Sequence, residues 1–306
     1  MSSRWATITI IFLLLILVGY IVIDLTLKEG RKSISNPLTT ASAPDDRWIV
    51  AKAFEPGKGQ LNAVTVSENG NIILGGESFI MCVDPDFNLL WEMNTEMPVT
   101  ALTNSGNEIY AAVQEIILVL NGKGEQLEEW GPYENNSLIT SLTSNKRFVA
   151  FGDAANKVVF ILDKNGIVKS LIGISDVPFI IPSPYFDVAL DDKDTLFVAN
   201  PGNRRIEKRN TDGMLISSFG KQGIEPDAFA GCCNPSHFTL VPGGFITSEK
   251  GINRIKILNK NGEFIEFVSS ANNFVPSMPL DIASTDGKTI YGANPADSKL
   301  HVFIKK

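Results

Sequence analysis

The sequence predicts an all-β fold, a six-bladed β-propeller, preceded by one transmembrane helix and a flexible stalk. Three observations carry this reading. A run of nineteen uncharged residues stands near the N-terminus. A unit of short strands separated by Gly, Asn and Asp turns then recurs six times from residue 47 onward. The last copy stops after its third strand, and the segment Trp48–Phe54, ahead of the first copy, has the pattern to complete it.

The chain of 306 residues is 44% hydrophobic and 20% charged, enough for one large all-β domain with an anchor or for two ordinary domains. Its net charge is −7 and it holds no Lys/Arg block. Phosphate binding needs a concentrated basic face, so a nucleic-acid partner is not expected. The three cysteines, Cys82, Cys232 and Cys233, are too few for the disulfide framework of a small domain and fit either redox compartment.

Residues 5–23, from Trp5 to Ile23, carry no charge. At 1.5 Å per residue they reach about 28 Å, close to the roughly 30 Å hydrocarbon core. A cleaved signal peptide would need a shorter apolar stretch and a small-x-small cleavage site. This run instead ends in the bulky Tyr20, Ile21, Val22 and Ile23, and no cysteine follows for lipoprotein processing. Residues 1–27 are therefore expected to be a single-pass anchor. Arg4 and the α-amine before it nearly balance Lys28, Arg31 and Lys32 after it. The short N-terminal flank is expected to stay in the cytoplasm, placing the propeller on the extracytoplasmic side of the cell membrane. Residues 28–46, rich in Ser, Thr, Pro and Ala, lack the aromatic and β-branched content of a core and read as a stalk.

Residues 47–306 hold the repeat. The second residue of each first strand falls at 62, 100, 140, 187, 237 and 281, intervals of 38, 40, 47, 50 and 44 that match propeller blades. The third strands begin near Phe79, Glu115, Lys157, Arg205, Arg254 and Lys299. The first five lead into turns at Asp86–Asn88, Asn121–Gly124, Lys164–Gly166, Asp212–Gly213 and Asn261–Gly262. These supply the positive φ that a two-residue hairpin needs. With Trp48–Phe54 as the fourth strand of the last sheet, the ring would close and leave no open edge.

Two stretches carry a more specific signal. Thr195 to Gly213 contains Asn200-Pro201-Gly202-Asn203-Arg204-Arg205-Ile206, and Gly244 to Gly262 contains Asn253-Arg254-Ile255. Both resemble NHL repeats of the TolB-like propeller superfamily. The resemblance covers residues 47–306, strongest in blades four and five and weak in two and three, where the Asn-Arg-Ile core is absent. The stretch Phe219-Gly220-Lys221-Gln222-Gly223, followed by Phe229-Ala230-Gly231-Cys232-Cys233-Asn234-Pro235-Ser236-His237, is similar to a signature of membrane-attached bacterial NHL proteins. That group implies a fold and an anchor, not an activity.

The repeat register places Asn62, Thr100, Thr140, Asp187, His237 and Asp281 at the mouth of the innermost strands. All six are polar beside apolar neighbours. Channel mouths are wetted, which accounts for polarity by itself. Two carboxylates, an imidazole and an amide also suit a divalent ion, with His237, Asp187 and Asp281 as ligands. Metal-dependent lactonase propellers use a comparable channel site but need a Glu ligand, and none of the six is Glu.

Cys232 and Cys233 lie in the longest inter-blade insertion, just before His237. Three readings stand open: a zinc or haem site with His237, although adjacent cysteines depart from the usual Cys-x₂₋₄-Cys spacing; a strained vicinal disulfide that is easily reduced; or a pair of thiols that shape a loop. Cys82 reads as a core residue and His301 as exposed or structural. Glu249 and Lys250 should reach the same face, where they would meet a polar ligand or form a solvated turn.

No Gly-x-Ser-x-Gly, His-Glu-x-x-His, P-loop or dinucleotide motif occurs. The expected function is a membrane-anchored ligand- or protein-binding scaffold, with Asn62, Asp187, His237, Asp281 and Lys250 at its mouth. The alternative is a metal- or disulfide-dependent redox or hydrolytic enzyme using the same mouth.

Overall fold

A computed structural model describes residues 47–174, 178–270 and 273–306. The expected anchor and stalk lie outside these residues. Among the described residues no helix is long and apolar enough to cross a membrane.

The described residues form 24 strands in six four-stranded antiparallel sheets. In chain order, β1 (Trp48–Phe54) comes first. Blade one is β2 (Leu61–Val66), β3 (Ile72–Gly76), β4 (Phe79–Val83) and β5 (Leu89–Asn94). Blade two is β6 (Val99–Ser105), β7 (Glu108–Val113), β8 (Ile116–Asn121) and β9 (Gln126–Trp130). Blade three is β10 (Ile139–Ser144), β11 (Phe148–Asp153), β12 (Val158–Asp163) and β13 (Val168–Ile172). Blade four is β14 (Val188–Leu190), β15 (Leu196–Asn200), β16 (Arg205–Arg209) and β17 (Leu215–Phe219). Blade five is β18 (His237–Val241), β19 (Gly244–Ser248), β20 (Ile255–Asn259) and β21 (Phe264–Ser269). Blade six is β22 (Asp281–Ala283), β23 (Thr289–Asn294) and β24 (Lys299–Lys305), with β1 as its fourth strand. β1 runs antiparallel to β24, from Trp48 opposite Lys305 to Phe54 opposite Leu300.

The core lies between blades rather than within one of them. β4 is buried along its whole length, and so is β19. A strand covered on both faces reads as an unbroken apolar run, which is why Phe79–Val83 shows no alternation. Six apolar clusters each join two neighbouring blades. One joins blades one and two through Ala63, Ile80, Leu102 and Leu118. Another joins blades six and one through Ala293, Leu300, Leu61 and Met81. A third packs Trp48 of β1 with Ile246 and Ile257 of blade five and Phe303 of blade six. Cys82 is buried in the first of these, and burial pushes its thiol up to about 11. Outer strands such as β17 are exposed along most of their length.

Close approach of the blades demands small residues in the second strands. A Cβ on Gly75 would stand 2.5 Å from a Val99 methyl of the next blade, and one on Gly152 would stand 2.7 Å from Phe186 O. The hairpins between third and fourth strands differ from the expected two-residue form. In blade one Asp84 N–H donates to Asn88 O and Phe87 N–H to Asp84 O, with a register shift between Cys82 and Val83. The loop is therefore longer and is followed by a bulge, the common alternative for antiparallel pairs. The positive φ falls on Phe87 in blade one and on Gly124, Gly166, Gly213 and Gly262 in the next four.

His301 is packed rather than free. Its Nε2 lies 2.8 Å from Asp297 Oδ2, and its ring lies against Phe274 and Phe303.

Deleting Trp48–Phe54 removes the partner of β24 and the Trp48 anchor between blades five and six. We expect loss of at least several kcal/mol, a large part of ordinary domain stability, together with an aggregation-prone open edge. Urea unfolding and light scattering of the deletion variant measure both; unchanged unfolding would contradict the role of β1.

Candidate functional site

The strand register fixes which loops share a face. His237 at the start of β18 pairs with Ser248 at the end of β19, and Asp281 pairs with Ala293. The start of each first strand thus sits beside the loop that follows the second. One end of the channel gathers the six predicted ring residues, the Cys232–Cys233 segment and Lys250.

Five of the six ring side chains are hydrogen-bonded to the backbone of the next blade. Asn62 Nδ2 donates to Val99 O at 3.1 Å. Thr100 Oγ1 donates to Ile139 O at 2.6 Å, and Thr140 Oγ1 to Phe186 O at 2.9 Å. Asp187 Oδ2 accepts from Phe238 N–H at 2.6 Å, and Asp281 Oδ2 accepts from Val64 N–H at 2.8 Å. In blades one to three the ring residue sits at a register shift, between Leu61 and Ala63, Val99 and Ala101, and Ile139 and Ser141. A bulge re-aims one side chain out of the alternation, and here it aims it at the neighbouring strand.

His237 breaks the pattern. Neither ring nitrogen makes a hydrogen bond among the described residues; Nδ1 stands 3.7 Å from Asp281 Oδ1 and 3.8 Å from Asp187 Oδ2. These three side chains help line a cavity of about 120 Å³ on the channel axis, together with Thr100, Thr140 and Ser141. Burial pushes Asp281 up from 3.8 to about 7. Burial, and then the charge of Asp281, holds Asp187 well above the usual carboxylate range. Burial pushes His237 down from 6.5 to about 4. The imidazole is therefore neutral at pH 7, while the Asp281 carboxyl beside it is close to half-protonated there. The divalent ion expected at His237, Asp187 and Asp281 finds no ready cage: both carboxylates are engaged by backbone N–H groups, and among the described residues no three His, Cys, Asp or Glu side chains converge as metal ligands.

Above the channel, the Tyr185 ring meets His237 edge-on at 5.6 Å, and Lys250 Nζ lies 4.9 Å over the Tyr185 centroid. Nζ of Lys250 makes no ion pair among the described residues. Tyr185 was not singled out from sequence; its position just before Phe186, at the end of a long inter-blade segment, is the only signal.

Glu249 is not part of a solvated turn. It is fully buried, with Arg254 Nε at 2.6 Å and Lys256 Nζ at 3.0 Å. Ala230 N–H donates to it at 3.2 Å. Lys256 Nζ also donates to Ala228 O at 2.6 Å and lies 4.4 Å over the Phe229 ring. Burial pushes this ammonium down to about 8. Arg254 donates to Ile224 O and Ala228 O as well. An acid and two bases on blade five thus pin the insertion that leads to the cysteines. A lysine between Ile255 and Ile257 in an apolar strand was the sequence signal for this network.

The cysteine segment is held on both sides. Asn234, buried, donates through Nδ2 to Ala230 O and Lys250 O and accepts at Oδ1 from Lys250 N–H and Ser236 Oγ. Arg204 Nε donates to Gly231 O at 2.9 Å. Cys232 is exposed and Cys233 half-buried, with their sulfurs 3.1 Å apart and unbonded.

No family model matches the chain, and no curated protein matches it. Solved structures do. A streptogramin B lyase is 15% identical, with a TM-score of 0.59 over 83% of this chain and 97% of that one. A catalytically inactive virginiamycin B lyase from Staphylococcus aureus, solved with quinupristin, is 18% identical, with a TM-score of 0.56 over 82% and 83%. A chain of a mitotic checkpoint complex is 12% identical, with a TM-score of 0.59 over 89% and 97%. Identities this low establish the propeller fold alone, and the fold hosts unrelated activities.

The buried pair gives opposite pH slopes. A carboxyl raised from 3.8 to about 7 contributes stability that is full below pH 4 and lost as pH rises through 7. An imidazole lowered from 6.5 to about 4 contributes above pH 6.5 and loses that contribution as pH falls through 4. Relative to the unaltered protein, Asp281→Asn should gain on the order of 2 kcal/mol as pH rises from 4 to 8, and His237→Gln should lose a similar amount. A pH-independent cost from altered hydrogen bonds moves either curve without changing its slope. Urea titrations across this range decide the matter; slopes of the same sign would refute the assignment.

Proposed function

We propose that this chain is a membrane-anchored propeller of NHL, TolB-like type, presented outside the cytoplasm, that binds a ligand bearing an anionic group at the channel mouth of blades four to six. The uncharged run of residues 5–23 supports the anchor. The Gly231-Cys232-Cys233-Asn234-Pro235 stretch supports the membrane-attached NHL type. Pairing of β1 with β24 supports a ring fastened by its first strand.

One observation carries the binding site. Around the mouth, Asn62, Thr100, Thr140, Asp187 and Asp281 are committed to the neighbouring blade. What remains available is Lys250 over Tyr185, with His237 beneath. A cation stacked on an aromatic ring keeps its charge while its orientation is fixed. Among the described residues it has no ion-pair partner, so a carboxylate or phosphate would meet a positioned ammonium without displacing an internal acid. The tyrosine ring and the neutral imidazole add apolar surface and hydrogen-bonding atoms below it. Binding sites on rigid propellers are commonly assembled this way, from loops held by a scaffold. The scaffold reading is preferred over the enzyme reading because the buried acids serve the blade contacts.

The full chain in detergent, titrated with inorganic phosphate, acetate and a peptide with a free terminal carboxylate, tests this site. At least one probe should raise Tm, and Lys250→Glu should abolish that shift while Lys260→Glu, at the opposite end of the propeller, leaves it intact. A shift that survives Lys250→Glu, or no shift with any probe, would overturn the anionic-ligand reading. Protease added to intact cells should digest the propeller; full protection would overturn the orientation.

A further inference from the structure

The cysteine pair is unused by this binding site, and its geometry is specific. The two sulfurs face one another at 3.1 Å on a segment fixed at both flanks. Before the pair, Gly231 O is held by Arg204 and Ala230 N–H by Glu249. After it, Asn234 makes four hydrogen bonds, one of them accepted from Ser236 Oγ. Pinning both ends removes much of the conformational freedom that would let adjacent thiols point apart. Cys232 is exposed to an incoming reagent, whereas Cys233 is partly covered. The Cys232 thiol is held above its ordinary range by hydrogen bonding to Cys233 and by its charge, while Arg204 pulls the other way. Because the thiolate is the attacking form, exchange at Cys232 quickens as pH rises.

We propose that Cys232 and Cys233 form a reversible dithiol–disulfide centre that exchanges two electrons with small disulfides of the glutathione class. The Cys232 thiolate attacks one sulfur of the incoming disulfide, forming a mixed disulfide and expelling one thiolate. Cys233, deprotonated, then attacks the Cys232 sulfur and expels the second thiolate. The pair loses two electrons and two protons, and the small disulfide leaves as two thiols. The product closes across a single peptide. Neighbouring Cα atoms stand about 3.8 Å apart, below the usual minimum of about 4.4 Å for a disulfide. The oxidised form is therefore strained and readily reduced, as labile rather than structural disulfides are. The centre cycles because its reduced form is pre-aligned and its oxidised form is easily reopened. Cys82, buried in the core between blades one and two, takes no part.

The test uses the full chain in detergent, equilibrated with mixtures of reduced and oxidised glutathione, then alkylated and analysed by peptide mass. Cys232 and Cys233 should lose their labels together, on a peptide two hydrogens lighter, and regain them fully when the ratio is reversed. Cys82 should label only after denaturation. Cys233→Ser should accumulate glutathione on Cys232, because the second attack is gone. Glutathione adducts on the unaltered pair, disulfide-linked dimers, or thiols that stay reduced in fully oxidised glutathione would overturn the proposal. A Cys233→Ser protein free of adduct would overturn the role given to Cys232. None of these readouts depends on an anionic ligand at Lys250.

Discussion

The ring depends on hydrogen bonds that leave one inner strand and end on the backbone of the next. An innermost propeller strand has a paired side and a channel side, and the channel side presents unpaired N–H and C=O groups. Here side chains near the start of each strand satisfy several of those groups. Asn62, Thr100 and Thr140 donate to carbonyls, whereas Asp187 and Asp281 accept from amides. The donors run in succession through blades one to three and the acceptors stand in blades four and six, each matching the backbone group it meets. The polarity that suggested a ligand ring is thus explained first by assembly. The exception then becomes informative: between blades five and six, His237 makes no such bond among the described residues and stands near two acids without pairing closely with either.

Much of the architecture was legible. Strand alternation and turn residues recur at blade-sized intervals, and each first strand in the structure starts within one residue of a predicted ring position. The ring positions themselves could be picked out because a polar residue inside an apolar strand stands out. Their partners could not, since the bond from Val64 N–H to Asp281 joins residues 217 positions apart. Glu249 was misread for a similar reason. Beside Lys250 and Gly251 it looks like turn chemistry; only folding brings it to Arg254, Lys256 and the backbone of Ala230. The hairpin turns were located correctly, but their length depends on a bulge in the strand that follows, which local sequence does not reveal. The expected anchor and stalk lie outside the described residues.

The insertion between blades four and five links the scaffold to the mouth. A buried acid with two buried bases is strongly destabilising to break, because removing one member strands the others without solvent. Glu249, Arg254 and Lys256 therefore act as a clasp rather than as a reactive cluster. They fix Ala228 and Ala230, which precede the cysteines, while Asn234 ties the segment to the backbone of Lys250. The same short stretch that positions the sulfurs also positions the ammonium above Tyr185.

The size of the axial cavity limits what it can hold. A liquid water molecule occupies about 30 Å³, so a space of about 120 Å³ admits only a handful of them. The water beside Asp187, His237 and Asp281 is thus a small, countable set held by the inner strands, and the charge of these groups answers to that set more than to bulk solvent.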